Sequence, residues 1–328
     1  MILVTGGGGY IGSHLVKKLK EDGEKVIVFD NFERGHKWAV KGVEVVEGDL
    51  RNKEDIKKVF NNFDIEEVYH FAAYSLVGES MQDPMKYFKG NVCGTLNLID
   101  VMTENNVRYI VFSSSAAVYG NPEKIPITED QPKNPTNVYG QSKLMIENVL
   151  EWFSRLNKIR YVALRYFNAA GAYYDGSIGE AHDPETHLIP IVLQTALGKR
   201  EKVYIYGNDY PTKDGTPVRD YIHVMDLIDA HIKAMQWMKS NNKSDVFNLG
   251  NGKGFTVLEV IETAKKVTMK DIKYEIAARR SGDPAVLVAS CEKAKKVLGW
   301  TPKSPELEKI ISDAWKWHKN FEQKETIF

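Results

Sequence analysis

The sequence predicts an α/β protein, a doubly wound parallel sheet joined to a second, smaller α/β lobe, and three observations carry that reading. Short apolar runs alternate with helix-length amphipathic segments, four glycines separate the first run from the first helix, and the texture changes after about Asn168. ILVT (2–5) reads as the first strand, and YIGSHLVKKLKEDG repeats Ile11, Leu15 and Leu19 at helical spacing. KVIVFD (25–30), VEVVEG (43–48), EEVYHF (66–71) and RYIVFS (108–113) are strands of the continuously apolar, buried kind. Most are separated by helices such as DPMKYFKGNVCGTLNLIDVMTEN, and a further pair comes from VYGQSKLMIENVLEWFS followed by RYVALRYF. That alternation favours right-handed crossovers and a parallel sheet. The glycine-rich, polar AAGAYYDGSIGEAHDPETH then marks a lobe boundary, with residues 1–167 in the first lobe and 168–328 in the second. YGNDYPTKDGTPVRD (206–220) reads as a long loop, a length usually tied to function, and FEQKETIF as a frayed end.

Composition narrows the partners. A chain of 328 residues with 44 basic and 44 acidic side chains gives no broad electrostatic reason to expect nucleic acid or an anionic membrane surface. Cys93 and Cys291 lie far apart and outside any CxxC pattern, so neither a disulfide framework nor a thiolate site is expected. No apolar run reaches the ~18 residues of a membrane span, and the glycines begin too early for a signal peptide, so a cytoplasmic enzyme acting on a small molecule is expected. The eight histidines show no HExxH or comparable spacing, so no metal is expected, and His14 and His70 read as packed histidines.

GGGGYIG satisfies G-x-G-x-x-G with Gly7, Gly9 and Gly12, and G-x-x-G-x-x-G with Gly6, Gly9 and Gly12. Glycine is needed where the backbone turns sharply, where it approaches a pyrophosphate, and where helix packs on strand, while the helix N-terminus offers partly positive N–H groups. The pattern follows a strand and opens a helix, and Asp30 ends the second strand where a carboxylate can accept the adenosine ribose hydroxyls. Its charge would repel a 2′-phosphate, which favours NAD over NADP. Asp49, after the third strand, can either cap the next helix or bind the adenine amino group.

SSSAAVYG (113–120) follows the fifth strand, so Ser115 falls at the carboxyl edge of the sheet, and VYGQSK places Tyr139 and Lys143 one helical turn apart. Such a trio suits alcohol oxidation: the phenol removes the hydroxyl proton, the serine holds the substrate oxygen, and carbon gives up hydride. A phenol with a pKa of about 10 needs roughly 4 kcal/mol of help to act near neutrality, and a cation ~4 Å away at an effective dielectric of ~20 supplies an interaction of that order.

On these motifs the chain resembles the extended short-chain dehydrogenase/reductase superfamily, and within it the UDP-glucose (UDP-galactose) 4-epimerases. The resemblance runs from TGGGGYIGSH through HFAAYSLVGES, SSSAAVYG, VYGQSK, LRYFNAAGA, YGNDYPTKDGTPVRDYIHVMDL and FNLGNG to ARRSGDP. It implies a Rossmann-type sheet with part of the chain after Asp220 returning to it, and NAD surrounded by Gly6, Gly9, Tyr10, Ile11, Gly12, Asp30, Asn31, Asp49, Leu50, Phe71, Ala72, Ala73, Asn91, Tyr139, Lys143 and Phe167. Ser115, Tyr139 and Lys143 would be catalytic; Asn168, His187, Leu188, Tyr204, Tyr206, Arg219, Arg280 and Asp283 would join Ser115 around a UDP-sugar. A homodimer is implied, and the apolar helix from Met85 to Met102 is a candidate interface.

There are departures. Ser75 stands where many relatives have lysine, Gly90 where asparagine is common, and His187 where asparagine is frequent, with a helix N-terminal role as its alternative reading. Leu287 is intermediate in size at the sugar pocket and leaves N-acetylated hexoses open. The rivals are a 4,6-dehydratase, disfavoured because Ala116 and Ala117 follow Ser115 where an acid pair is needed; a uronic-acid epimerase or decarboxylase, for which no additional cation near the sugar C6 is assigned; a plain alcohol dehydrogenase, which would exchange its cofactor; and a nucleotide sensor, disfavoured by the presence of tyrosine and lysine.

Overall fold

The computed structural model of the protein describes residues 1–280 and 283–325, with side chains through Phe321. Seven strands form the principal sheet: β1 (Ile2–Thr5), β2 (Val26–Asp30), β3 (Glu44–Glu47), β4 (Glu67–His70), β5 (Tyr109–Ser115), β6 (Arg160–Tyr166) and, later in the chain, β11 (Asp245–Leu249). Their order is β11-β6-β5-β4-β1-β2-β3 and every pairing is parallel. The strand order reverses between β1 and β4, where an open α/β sheet leaves a crevice at its carboxyl edge.

Period-two alternation sends successive side chains to opposite faces of the sheet. Ile2, Val4, Val28, Val111, Val162 and Phe247 share one core with α1 (Tyr10–Glu21) and α8 (Val224–Asn241). Leu3, Ile27, Phe29, Val68, Ile110 and Ala163 share the other with α2 (Lys53–Asn62), α5 (Gly94–Glu104) and α6 (Val138–Arg155). Between α2 and α5 lie two short helices, α3 (Val77–Gln82) and α4 (Pro84–Tyr87), and a π-helical turn over Phe88–Cys93. The segment read as one helix from Met85 to Met102 is helical throughout, with the π-helical turn inside it.

A third core forms around α7 (Leu188–Ala196), α9 (Val257–Thr268) and α11 (Leu307–Glu325), with Val192, Leu193, Val260, Ile261, Ile310 and Ile311 buried together. Short sheets flank it. β7 (Asn168–Ala170) pairs with β10 (Tyr221–His223), β8 (Val203–Tyr206) with β13 (Tyr274–Ala277), and β9 (Val218–Arg219) lies between β12 (Phe255–Thr256) and β14 (Val286–Leu287). α10 (Glu292–Leu298) packs back on β11. The third core gathers residues from Ala170 onward, and α8 and β11 belong to the first core. Residues 321–325 continue α11, and residues 326–328 of the expected end lie outside the described residues.

Candidate active site

The glycine turn is shaped by contact. Gly6 has φ +71°, and a Cβ on it would stand 2.5 Å from the Ala72 nitrogen; one on Gly12 would stand 2.2 Å from the Gly6 carbonyl oxygen. No side chain caps α1, so the N–H groups of its first turn remain available to an anion. Asp30 is buried, and its two oxygens accept backbone N–H groups from Gly8 and Phe32 at 2.8 Å each. Burial pushes its carboxyl pKa up, and these two hydrogen bonds oppose that. The cleft at the strand reversal is lined by Gly6, Gly9, Asp30, Asn31, Asp49, Leu50, Phe71, Ala72, Ala73 and Asn91. Backbone cradle, uncapped helix and ribose-directed carboxylate together fit a dinucleotide.

Among the residues expected around the cofactor, Tyr10, Ile11 and Phe167 do not line this cleft with their side chains. Tyr10 turns inward and donates its hydroxyl to the Gly171 carbonyl at 2.8 Å, while Ile11 and Phe167 pack in the core beside that cleft. Asp49 is not the helix cap: Asn52 caps α2 by accepting from Glu54 N–H, and Asp49 is held by Arg51 and Asn31. Hydrogen bonding to Arg51 lowers its pKa to about 2. Asn91 braces the loop after β4, accepting from Tyr74 N–H and donating to the Tyr74 carbonyl and Ser142. The Gly90 departure has a steric reason, since a Cβ there would meet the Tyr74 ring at 2.4 Å. Ser75 is exposed.

Ser115 ends β5 and caps the turn that follows, accepting from Ala117 N–H at 3.1 Å. α6 presses its first turn against that same turn: a Cβ on Gly140 would lie 2.5 Å from the Ala117 carbonyl, which explains the glycine after Tyr139. Tyr139 is thereby brought toward Ser115, and the phenol feels two opposed effects, burial raising its pKa and the Ser115 hydroxyl lowering it. Lys143 is 2% exposed. Its ammonium donates to the Ser113 carbonyl at 2.7 Å and stands 5.9 Å from the Tyr139 ring centre. The direct lysine–phenol contact expected from the helical spacing is replaced by a lysine anchored on the strand. Burial depresses its pKa to about 7, against the raising influence of Glu147.

Beneath this trio lies a buried network that sequence reasoning missed. Arg165 makes a two-pronged ion pair with Glu147 at 2.9 and 2.6 Å, Ser114 donates to Glu147, and Arg165 also donates to the Tyr119 hydroxyl. Glu147 lies one turn beyond Lys143 on α6, and that K-x-x-x-E spacing was the available signal.

A second cavity of about 520 Å³ lies on the other lobe, and Asn168, His187, Leu188, Tyr204, Tyr206, Arg219, Arg280 and Asp283 all line it. Its volume suits a nucleotide-sized ligand. Arg219 is oriented by an ion pair with Asp283, and Arg280 lies over the Tyr206 ring at 4.0 Å. Arg200 and Lys202 also line it; nothing in the spacing of KREK before β8 distinguished them from solvated cations. Leu287 pairs in register with Arg219 and packs beside Tyr119 and Phe167. His187 occupies the position before α7, and its ring contacts Glu180 and Glu185. The histidine scan missed this grouping: Glu180, His182, Glu185 and His187 each bring one ligand atom within 4.8 Å of the others. The spacing E-x-H-x-x-E-x-H was its signal.

Fold, glycine cradle and Ser-Tyr-Lys trio define a dinucleotide-binding enzyme of the extended short-chain dehydrogenase/reductase type. The chain belongs to the NAD dependent epimerase/dehydratase family, whose model matches residues 2–250. It is 55% identical over 318 residues to the UDP-glucose 4-epimerase of Halalkalibacterium halodurans, spanning 97% of this chain and 95% of that protein. A solved UDP-glucose 4-epimerase superposes with a TM-score of 0.96 at 51% identity, covering 97% of each chain. The Bifidobacterium longum enzyme, solved with NAD+ and UDP, superposes at 0.91 with 38% identity, covering 97% of this chain and 98% of that one. No helix among the described residues is long and apolar enough to cross a membrane.

Proposed function

We propose that this chain is a UDP-glucose 4-epimerase, which interconverts UDP-glucose and UDP-galactose through a transient 4-keto sugar. The observation that carries the reading is the gathering of Ser115 at the end of β5 with Tyr139 and Lys143 on the first turns of α6, the lysine anchored to the Ser113 carbonyl and 5.9 Å from the Tyr139 ring centre. A backbone-built dinucleotide cleft and an arginine-lined cavity accompany that pair. Bound NAD supplies a hydride acceptor and returns the same hydride, so the sugar is oxidised and reduced again with no net redox. Ser115 donates a hydrogen bond to the sugar 4-oxygen while Tyr139 takes the hydroxyl proton and later gives it back. Lys143 keeps positive charge near the phenol, and Glu147 favours that charge. Arg219 and Arg280 grip the diphosphate, for which always-charged planar donors are suited. A sugar held less tightly than its diphosphate swings about the phosphate linkage and presents its other face.

The protein acts in the cytoplasm on this reading. It pairs as a homodimer through the face that exposes Met85, Leu96, Met145 and Trp152. A second substrate reading, an N-acetylated hexose, rests on the moderate size of Leu287, which pairs in register with Arg219. The deciding experiment incubates the purified protein with UDP-galactose, and separately with its N-acetylated counterpart, without adding NAD. Epimerised product with C4 deuterium retained is expected, as is a loss of ~10²–10⁴ in turnover for Tyr139→Phe. An absolute need for an external oxidant, or no turnover at all, would reject the reading in favour of a dehydrogenase or a nucleotide sensor.

A further inference from the structure

We infer that Glu180, His182, Glu185 and His187 form a binding site for one divalent transition-metal ion of the zinc type, placed at the wall of the sugar-nucleotide cleft. His182 Nδ1 lies 3.1 Å from Glu180 Oε1 and 3.7 Å from Glu185 Oε2. His187 Nδ1 lies 2.9 Å from Glu180 Oε1 and 3.0 Å from Glu185 Oε1. A tetrahedral ion bound through imidazole nitrogen and carboxylate oxygen at about 2.0–2.1 Å needs ligand atoms about 3.4 Å apart; the four nitrogen–oxygen separations lie around that edge, and one ligand atom from each residue falls within 4.8 Å of the others. His182 Nδ1 is buried and makes no hydrogen bond of acceptable geometry, although it faces both carboxylates.

The surroundings hold the ligands in place. Glu185 Oε1 accepts the N–H groups of Thr186 and His187 at 2.8 Å each, which fixes the carboxylate. The backbone of the loop is tied at four carbonyls from distant parts of the chain: Glu180 by Trp317, Ala181 by His36, Asp183 by Arg34 and Glu185 by Arg200. Both carboxylate side chains are almost fully buried, whereas His187 is 46% exposed and leaves a way in. Two nitrogens and two oxygens select zinc-like ions over magnesium or calcium, which take oxygen-rich shells. Glu180 and His187 both line the sugar-nucleotide cavity, so a bound ion clips its wall to the start of α7.

The test uses the NAD-containing protein, stripped with chelator and dialysed at pH 7.5 against micromolar Zn²⁺, then assayed for metal content. One equivalent per chain is expected, with a rise in melting temperature that grows with ion concentration. Substituting Co²⁺ should give the intense visible bands of a tetrahedral site, and Mg²⁺ should give neither response. His182→Gln and Glu185→Gln, checked for folding by circular dichroism, should each weaken uptake at least ~10-fold. Sub-stoichiometric uptake by the wild-type protein overturns the inference, as does uptake undiminished in both folded variants. The Co²⁺ spectrum of the wild-type protein decides the matter should a variant not fold.

Discussion

The two clefts of this protein are built from different materials. The dinucleotide cleft is made largely of backbone: glycines packed against neighbouring main chain, an uncapped helix end, and the residues that immediately follow β1, β2, β3 and β4. The sugar-nucleotide cleft is made of side chains from segments scattered between residues 168 and 283, with arginines oriented by an ion pair and an aromatic face. A cleft of the first kind tolerates almost no added atoms but asks little of side-chain identity. One of the second kind depends on charge and reach, and can be retuned one residue at a time.

The largest expected effect follows from Gly12. Gly12→Ala forces a methyl to within 2.2 Å of the Gly6 carbonyl oxygen, so the turn must open. Overpacking of that sort costs on the order of 1–3 kcal/mol of stability, and the purified variant should lose NAD on gel filtration while still binding UDP in a calorimeter. Gly9→Ala is the control that separates folding from binding, because its methyl would sit 3.3 Å from the same oxygen, a distance a slight shift can absorb. Equal NAD retention in Gly12→Ala and wild type would show that the cradle is not backbone-limited.

Arg219→Ala should produce the complementary result, with NAD retained and UDP affinity reduced. A charge-assisted hydrogen bond is worth about 1.5–3 kcal/mol, or roughly 10- to 150-fold in dissociation constant. Asp283, left without its partner, would add repulsion toward the diphosphate. If titration calorimetry finds UDP affinity within twofold of wild type, Arg219 is only a brace for Asp283 and the cleft must rely on Arg280, Arg200 and Lys202.

The same contrast explains what could be read in the sequence. ILVT, the glycines and Asp30 are close together in the chain, and strand, turn and helix periodicities are local properties, so the first sheet and the first cleft were legible from spacing alone. Arg219, Arg280 and Asp283 come together only because β14 pairs with β9, a two-residue pairing that no periodicity announces, and they were reached through resemblance. Tyr139 and Lys143 were legible as a helical pair, but the destination of the lysine was not: the carbonyl of Ser113 that receives it belongs to β5, and only tertiary packing of α6 on that strand sets the choice. Likewise, Asp49 has the chemistry of a cap, but Asn52, extended at the start of α2, accepts the Glu54 N–H while Asp49 is taken up by Arg51 and Asn31.

Lys143 offers the smallest but most discriminating effect, because its ammonium is buried between the Ser113 carbonyl and the Tyr139 ring. Its pKa in the folded protein is about 7, below the ~10.4 of the unfolded chain. Between those values the unfolded chain binds the extra proton, so stability attributable to this group rises with pH across that window; below 7 both states are charged and the burial cost is fully present. That cost is on the order of 4 kcal/mol, partly offset by the hydrogen bond to Ser113. In the cofactor-free protein Lys143→Met should therefore stabilise by roughly 1–2 kcal/mol at pH 6 and by much less near pH 10, while turnover falls because the phenol loses its cation. Denaturant titrations at the two pH values measure the gap directly. A gap that stays constant would mean the ammonium is not held against its solvation preference, and the tuning of Tyr139 would have to come from Ser115 and the bound cofactor alone.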